Sequence, residues 1–337
     1  MEKTFSLSNR RYLGNKAKLL PFITEIVTLK CKNIKSIADI FAGTGCVASA
    51  FLDKIIYTND ILKSNFIVHY AWFSADNYDE AKIKNLIKEF NAYDKKVKNY
   101  MSVNFAGTYF SDFVCSKVGF IREKIEKLYK KEEINERERA LLITSLLYAM
   151  DKIAATCGHY DAYRKNADLT NDIELLLPLV PKHNNKKNIC FNTDANELVK
   201  TLKADLVYID PPYNSRQYSD SYHLLENVAT WQKPKVYGVA KKMDRTKIKS
   251  KYCGNTAENS FIQLISDIEA KYILLSYNNI GTKANDRSNA KISDNIIIDT
   301  LKKKGKLEIF EQNHKAFNTG KSNIQNNIER LFLCHCR

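Results

Sequence analysis

The chain has 337 residues, of which 44% are hydrophobic and 27% charged, enough to bury a sizeable core in one large or two moderate domains. Lysine and arginine outnumber aspartate and glutamate by 53 to 38, and the net charge of +15 indicates a polyanionic partner, most simply nucleic acid. No apolar run approaches the roughly 20 residues of a membrane span, and no apolar segment follows the N-terminal methionine as in a secretory signal. We therefore expect a cytoplasmic protein with no membrane association.

Eight cysteines are scattered along the chain, and none forms a Cys-x-x-Cys pair. The tightest group is Cys334-His335-Cys336, which reads as the end of a terminal strand. Two alternating ligands on a strand face the same side, but a zinc site needs a third and a fourth. We expect reduced thiols, as in a reducing compartment, and no metal.

A turn at Gly14-Asn15 precedes a predicted helix from about Lys16 to Lys30, with Pro21 tolerated in its first turns. The basic and aromatic residues before the turn would lie at the helix N-terminus, where a polar or anionic ligand is favoured. An ordinary N-terminal arm is the alternative.

The next segment predicts a nucleotide-binding βαβ unit. An apolar strand from Ser36 leads into the Gly43-Thr-Gly45 turn and a helix of small residues from Cys46 to Phe51. A second strand ends at Asp60, where an acid can accept hydrogen bonds from ribose hydroxyls. The third glycine of the dinucleotide fingerprint is missing, so a nicotinamide cofactor is not supported. An N-cap role for Asp60 is the bland alternative.

Between residues 77 and 188 the alternation of strand and helix disappears. Amphipathic helices are predicted over Asp79 to Lys98, Phe120 to Lys131 and Glu136 to Thr156. We interpret residues 77–188 as a mainly helical insertion that divides an α/β domain into residues 1–76 and 189–337.

Rings and cations follow the third of these helices, as on surfaces that bind unpaired bases. The rings are those of His159, Tyr160 and Tyr163, and Arg164 and Lys165 stand beside them. A capped helix end with packed tyrosines explains the same residues.

The α/β pattern resumes with a strand that ends at Asp194, and then with the apolar run Leu206 to Ile209. Asp210-Pro-Pro-Tyr213 follows that run directly. Prolines fix the backbone and remove donors, so an acid, oriented carbonyls and a flat ring would form a polar pocket at the carboxyl edge of the sheet. A strand followed by a tight turn is the alternative.

A densely basic stretch lies just beyond this edge and would track a phosphate backbone. Its cations are Lys233, Lys235, Lys241, Lys242, Arg245, Lys247, Lys249 and Lys251. Later elements are helices over Asn259 to Ala270 and Asp294 to Lys303, and strands over Tyr272 to Asn278, Leu307 to Gln312 and Ile328 to Cys334. The link between the last two strands is again polar and basic and contains Lys315.

Taken in order, these motifs resemble the Dam-like, class alpha DNA adenine methyltransferases. The matching segments are Arg11-Tyr-Leu-Gly-Asn-Lys16, Asp39-Ile-Phe-Ala-Gly-Thr-Gly45, Asp60, an inserted region and Asp210-Pro-Pro-Tyr213. The resemblance implies a Rossmann-like S-adenosylmethionine-dependent methyltransferase sheet with an inserted target-recognition domain. It also implies double-stranded DNA as substrate, a free monomer, and in many relatives a separate cognate restriction endonuclease.

The resemblance assigns S-adenosyl-L-methionine as cofactor. Tyr12 and Lys16 would lie near its methionine end, the loop with Asp39, Phe41, Gly43 and Gly45 would lie under it, Asp60 would bind the ribose, and Asp194 the adenine amine. For catalysis, Asp210 and the Pro211 carbonyl would accept the two N–H bonds of the target amine. Pro212 completes the tetrapeptide, and Tyr213 would stack on the flipped base.

Two other functions are compatible with parts of this pattern. The same chemistry could act on RNA adenine, a DNA cytosine amine or a protein glutamine, although relatives with those acceptors more often carry Asn or Ser where Asp210 stands. A non-catalytic DNA-binding protein on a methyltransferase fold is the other alternative.

Overall fold

A computed structural model describes residues 3–10, 12–182, 186–278, 291–313 and 328–337. The strands are β1 Thr4–Phe5, β2 Ser36–Asp39, β3 Ile55–Asn59, β4 Leu177–Pro178, β5 Ile189–Phe191, β6 Lys203–Ile209, β7 Glu269–Asn278, β8 Gly305–Asn313 and β9 Ile328–Cys336. The helices are α1 Leu20–Lys30, α2 Lys63–Phe73, α3 Glu80–Asn91, α4 Tyr100–Phe105, α5 Asp112–Lys130, α6 Glu136–Ile153, α7 Ala195–Leu198, α8 Tyr218–Ser221, α9 His223–Thr230, α10 Ala257–Asp267 and α11 Asp294–Lys304.

Seven of the strands form one sheet in the order β5-β3-β2-β6-β7-β9-β8. The first five of these run parallel, and β9 pairs antiparallel with both β7 and β8. From β2 the chain builds outward through β3 and β5, then returns to place β6 on the other side of β2. The order therefore reverses between β2 and β6, and ligands of open α/β sheets bind at the carboxyl ends of strands at such a point.

Alternate residues of the central strands face two different apolar clusters, as the period of two requires. Ile37 and Leu206 pack on the face covered by α1, whereas Ala38 and Val207 pack on the face covered by α10 and α11. A third and larger cluster lies among α2, α3, α5, α6 and α9. The mixed α/β class with a mostly parallel sheet is thus confirmed.

The predicted helices of the middle region exist, but two of their boundaries are wrong. The first helix ends at Asn91 rather than Lys98, because the lysine-rich residues after it offer no apolar stripe to bury. The second starts eight residues before Phe120, where the Ser111 side chain accepts the Val114 N–H and caps it. The short helix predicted after the glycine turn is a 3₁₀ turn over Ala48–Phe51.

Contacts of the helical region cross both of its predicted boundaries. Trp72 of α2 stacks on Tyr148 of α6, with ring centroids 6.1 Å apart. The buried Arg122 of α5 donates to the carbonyls of Val228 and Ala229 at the end of α9. Residues 77–188 therefore share a core with the rest of the chain, and their status as a recognition domain stays a prediction.

Within the described part of the chain, no helix is long and apolar enough to cross a membrane. The same residues contain no group of three His, Cys, Asp or Glu side chains that could hold a metal ion.

Candidate active site

A pocket of about 910 Å³, its open mouth included, lies at the carboxyl edge of the sheet where the strand order reverses. Its walls are residues 12–16, 39–44, 46–47, 59–62, 193–195, 208, 210, 212, 217–219, 248 and 250–252. Seven of the eight residues predicted to bind the cofactor line the pocket, and the eighth, Gly45, lies in the same glycine loop.

The glycine loop after β2 turns sharply because two of its residues adopt left-handed backbone. Gly43 has φ +52° and Gly45 has φ +80°, values that side chains rarely allow. A Cβ on Gly43 would lie 3.1 Å from the Tyr12 ring, and one on Gly45 would lie 3.0 Å from Phe73. The loop is thus closely packed against Tyr12 and Phe73, and its residues 41–44 line the pocket.

Asp60 holds this loop in place. Its carboxylate accepts the Gly43 N–H at 3.0 Å, the Leu62 N–H at 2.8 Å and the Asn65 side-chain N–H at 3.0 Å. Burial raises the pKa of Asp60 to about 6, although these three donors oppose the shift. Helix capping and ligand binding are compatible for this residue, since a carboxylate has about four acceptor positions.

Asn65, on α2, connects several of the predicted site residues. Its side-chain amide donates to Tyr12 Oη at 3.0 Å as well as to Asp60, and its Oδ1 accepts from the buried Arg10 at 2.8 Å. Nearby on the same helix, His69 bonds through Nε2 to the Gly43 carbonyl at 2.9 Å. Burial lowers the pKa of His69 to about 4, so the ring is neutral and donates from Nε2.

Asp39, at the end of β2, is buried beneath the loop, with 1% of its surface exposed. Burial, followed by the nearby charges of Asp210 and Asp60, raises its pKa well above the ordinary value. Three carboxylates thus converge on this edge of the sheet.

The Asp210 carboxylate is held at both oxygens. Lys16 Nζ lies 2.8 Å from Oδ2, and the Tyr213 hydroxyl donates to Oδ1 at 2.5 Å. Burial would lower the pKa of Lys16, but Asp210 outweighs that effect and raises it, so the lysine is charged. Tyr213 also packs edge-on against Tyr277, with centroids 5.0 Å apart. The N-terminal motif and the Asp-Pro-Pro-Tyr motif therefore meet through an ion pair.

This chain matches the model of the D12 class N6 adenine-specific DNA methyltransferases over residues 12–288. The chain belongs to this family. The resemblance found in the sequence is thereby confirmed at the level of the family.

Two similar proteins are about twice as long as this chain. Modification methylase StsI of Streptococcus sanguinis is 36% identical over 80% of this chain and 44% of that protein. Type II methyltransferase M.FokI of Planomicrobium okeanokoites is 34% identical over 80% of this chain and 45% of that protein. The chain thus spans a little under half the length of these two relatives. Type II methyltransferase M.NlaIII of Neisseria lactamica is 27% identical over 94% of both chains.

A D12 class methyltransferase needs a methyl donor, normally S-adenosylmethionine, and the pocket fits a polar ligand of that kind. Three buried side-chain atoms on its walls have no hydrogen-bond partner among the described residues, namely Asp39 Oδ1, Tyr208 Oη and Ser219 Oγ. Buried polar groups normally have partners, so these atoms indicate a polar occupant. Phe41, packed edge-on against Tyr252 at 5.0 Å, adds an aromatic surface.

Asp194 lines the pocket shortly after β5, directly before α7. Its side chain accepts the Asn196 N–H at 2.9 Å and pairs with Lys251 at 3.2 Å. The residue predicted to meet the adenine amine is therefore already engaged by a lysine of the basic stretch.

The basic residues predicted to contact DNA differ in their exposure and in their ion pairs. Lys247 and Lys249 are exposed, whereas Lys242 pairs with Asp161 at 2.8 Å and Arg245 pairs with Asp220 at 2.5 Å. Lys241 is half-buried at a tight turn. Lys315, like Arg11 of the N-terminal motif, lies outside the described residues.

The aromatic cluster after α6 departs from its prediction. Tyr160 is 1% exposed and donates to Asp151, so the prediction of a stacking ring for DNA is wrong for this residue. The apolar surroundings of α6 and α9 bury the ring. Tyr163 packs edge-on against Tyr109, and His159 lies 3.6 Å from Asp161; both are half-buried.

Sequence reasoning missed two kinds of site residue. Asn65 and His69 lie on α2, which is apolar on nearly every side and shows no helical periodicity to detect. Tyr218 and Tyr222 stack with Tyr12, at 5.4 Å and 4.6 Å between centroids. A spacing of four residues is typical of a helix. The two tyrosines were missed because they follow Asp210-Pro-Pro-Tyr213, which is also compatible with a turn.

Proposed function

We propose that this chain transfers a methyl group from S-adenosyl-L-methionine to the 6-amino group of adenine in duplex DNA, with the target base flipped out of the helix. The observation that supports this most directly is the position of Asp210. Its carboxylate, held by Lys16 and Tyr213, shares one pocket with the glycine loop and Asp60. Family membership supplies the reaction class, and this cluster supplies the groups that would perform it.

The protein must make the 6-amino group of adenine, which is a poor nucleophile, reactive enough to accept a methyl group. The lone pair of an aromatic amine is delocalised into the ring. Asp210 and the Pro211 carbonyl would each accept one of its N–H bonds, which draws the nitrogen toward tetrahedral geometry. The freed lone pair would then attack the donor's methyl carbon in line, while the bond from that carbon to sulfur breaks and the thioether leaves. An ordinary carboxylate is too weak a base to deprotonate a neutral amine first, so the amine loses its proton after the methyl bond has formed.

Lys16 and Tyr213 would keep Asp210 in the orientation that this step needs. Each bonds one carboxylate oxygen, and the remaining lone pairs can accept from the substrate amine. When bound, the cofactor supplies an electrophilic methyl group on a sulfonium. Asp60 would accept from its ribose hydroxyls, Asp194 from its adenine amine, and the loop from Phe41 to Gly45 would support it. Catalysis is then mainly positioning and electrostatics.

The outward cations would bind the phosphate backbone. Lys247 and Lys249 are exposed on the chain segment that borders the pocket. Phosphate contacts of this kind supply affinity without sequence selectivity. We propose residues 77–188 as the source of target selectivity, and a modification role beside an independent endonuclease, because the relatives carry modification methylase names.

The direct test replaces Asp210 by Asn, which keeps the shape but removes the charged acceptor. We expect methyl incorporation into duplex DNA to fall by at least about 10³-fold, while the affinity for S-adenosylhomocysteine stays within about threefold of wild type, a difference of under ~1 kcal/mol. Asp53→Asn, at an exposed carboxylate, is the matched control. Wild-type methylation by the Asp210 variant would overturn the mechanism.

The acceptor is tested separately with a tritiated methyl donor. Duplex DNA, RNA and protein are offered to the wild-type chain, and the modified base is identified by hydrolysis. We expect N6-methyladenine in DNA. Label in cytosine, RNA or protein would replace the proposed acceptor, whereas donor binding with no methylation would indicate a non-catalytic DNA-binding protein.

A further inference from the structure

The segment of residues 246–253, here called the strap, forms one wall of the pocket and presents two different faces. Ile248, Ser250 and Tyr252 line the pocket, whereas Lys247 and Lys249, on either side of Ile248, are exposed. One short segment thus has side chains on the proposed cofactor side and cations on the proposed DNA side.

The C-terminal end of the strap contacts the residues that follow β5. Lys251 pairs with Asp194 at 3.2 Å. The Tyr252 hydroxyl donates to Asn196 Oδ1 at 2.8 Å. Both contacts involve the start of α7, so this end of the strap lies where the cofactor's adenine is proposed to bind.

The strap is also attached to residues 210–217, here called the catalytic segment, through Ser250 and through Cys253, whose Sγ donates to the Arg216 carbonyl at 3.3 Å. Gln217 Nε2 donates to the Ser250 carbonyl at 3.0 Å, and Gln217 Oε1 accepts the Ser250 N–H at 2.8 Å. A carboxamide is the side chain that can satisfy a backbone donor and acceptor together. Gln217 lies seven residues after Asp210 and itself lines the pocket.

We propose that Gln217 is a positioning residue that couples the two ligands of the enzyme through the strap. A duplex that binds Lys247 and Lys249 from the solvent side holds the strap against the pocket. Gln217 then keeps Ser250 at a fixed position relative to the catalytic segment. The adenosine-bearing ligand then binds more tightly when DNA is present. By linkage, the same ligand raises the affinity for DNA by the same factor.

This inference rests on the proposed function, and its test separates the two. The affinity for S-adenosylhomocysteine is measured by calorimetry with and without a saturating duplex, which contains the site found by sequencing modified bases in DNA from expressing cells. For wild type we expect DNA to raise the affinity by about 5- to 150-fold, the usual range of coupling between sites. In Gln217→Ala we expect this ratio to fall below about 3, with the affinity in the absence of DNA changed far less.

Gln217→Glu provides the second variant, because it keeps the acceptor for the Ser250 N–H but loses the donor to the Ser250 carbonyl. It should show the same loss of coupling, and it keeps the proposal testable if the alanine variant does not fold. Gln232→Ala, an exposed position on the chain before the strap, is the matched control and should keep the wild-type ratio.

Three outcomes overturn the inference. Coupling that persists in a folded Gln217 variant excludes the residue, and equal loss of affinity with and without DNA indicates a merely structural role. Absence of coupling in the wild type excludes the strap as a connection. A wild-type chain that does not bind S-adenosylhomocysteine at all would instead contradict the proposed function.

Discussion

Asp60 is placed to serve both of the roles that the sequence left as alternatives. It accepts the Gly43 and Leu62 backbone N–H groups, so it fixes the loop that follows β2 and caps the turn before α2. Its remaining acceptor capacity is available to a ribose hydroxyl on the pocket side. The charge that fixes the shape of the site is therefore also the one that the proposed ribose contact would use.

The raised pKa of Asp60, about 6, predicts that cofactor binding weakens in mild acid. The ionised form accepts hydrogen bonds from the loop and, as proposed, from the ribose, so binding is strongest well above pH 6 and weakens as the pH falls through 6. We expect the dissociation constant of S-adenosylhomocysteine to rise about 10-fold between pH 7 and pH 5, as one titrating group allows. Calorimetry at fixed ionic strength measures this profile.

The matched variant is Asp60→Asn, which removes the titrating group. It should bind more weakly than wild type at pH 7, with an affinity that stays flat between pH 5 and pH 7. A pH profile in this variant that parallels the wild type would assign the titration to another group, such as Asp39.

The residues proposed to carry the chemistry could be located from the sequence because their types and order are specific. Asp210, Lys16 and the two loop glycines each occur in a motif, and all lie at the one edge where parallel strands end. The partners of these residues could not be predicted. Asn65 and Gln217 are ordinary polar residues in sequence, and their roles depend on which backbone groups the fold brings within 3 Å.

At the scale of elements, the glycine loop requires glycine for two reasons that can be separated. Gly45 has φ +80°, and a Cβ there would also lie 3.0 Å from Phe73 and 3.1 Å from His69. Gly107 has φ +69° but no atom within 4 Å of the corresponding position. An alanine at either position would have an unfavourable left-handed backbone, but of the two only the one at Gly45 would also be too close to neighbouring side chains.

Gly107→Ala should therefore lower the free energy of unfolding by about 1–2 kcal/mol, the cost of a left-handed alanine. Gly45→Ala should lower it further, because Phe73 and His69 must shift, and it should weaken S-adenosylhomocysteine binding. Denaturant unfolding and calorimetry on both variants measure the difference. Equal free energies and equal affinities for the two variants would contradict the packing argument.

Helices were predictable where one face is apolar and the other charged, as in α3 and α5. Their ends were less so, since the Ser111 cap and the end at Asn91 depend on local contacts. Helix α2 was missed because it is buried on most sides, and burial of that kind erases the periodicity that marks a surface helix. The strands of the central sheet were found because buried parallel strands read as continuous apolar runs.

At the scale of the whole molecule, the helical region is built into the α/β core. Arg122, with no exposed side-chain surface, pairs with Glu126 and donates to the last carbonyls of α9. Trp231, just after α9, packs edge-on against Tyr100 of α4 at 6.0 Å. Residues before 77, between 77 and 188, and after 188 thus contribute to one cluster, and we expect them to unfold together.

Arg122→Ala tests this integration. The substitution leaves two buried carbonyls of α9 without their donor and breaks a buried ion pair, so we expect a loss of about 3–5 kcal/mol in the free energy of unfolding. Lys124→Ala on the same helix, at a partly exposed pair with Glu89, should cost under about 1 kcal/mol.

Guanidinium unfolding is followed by circular dichroism for the helices and by fluorescence of Trp72 and Trp231. Coincident midpoints for both probes are expected in wild type and in each variant, because one core connects them. Separate midpoints, with Arg122→Ala displacing the circular dichroism signal alone, would show instead that residues 77–188 unfold as an independent unit.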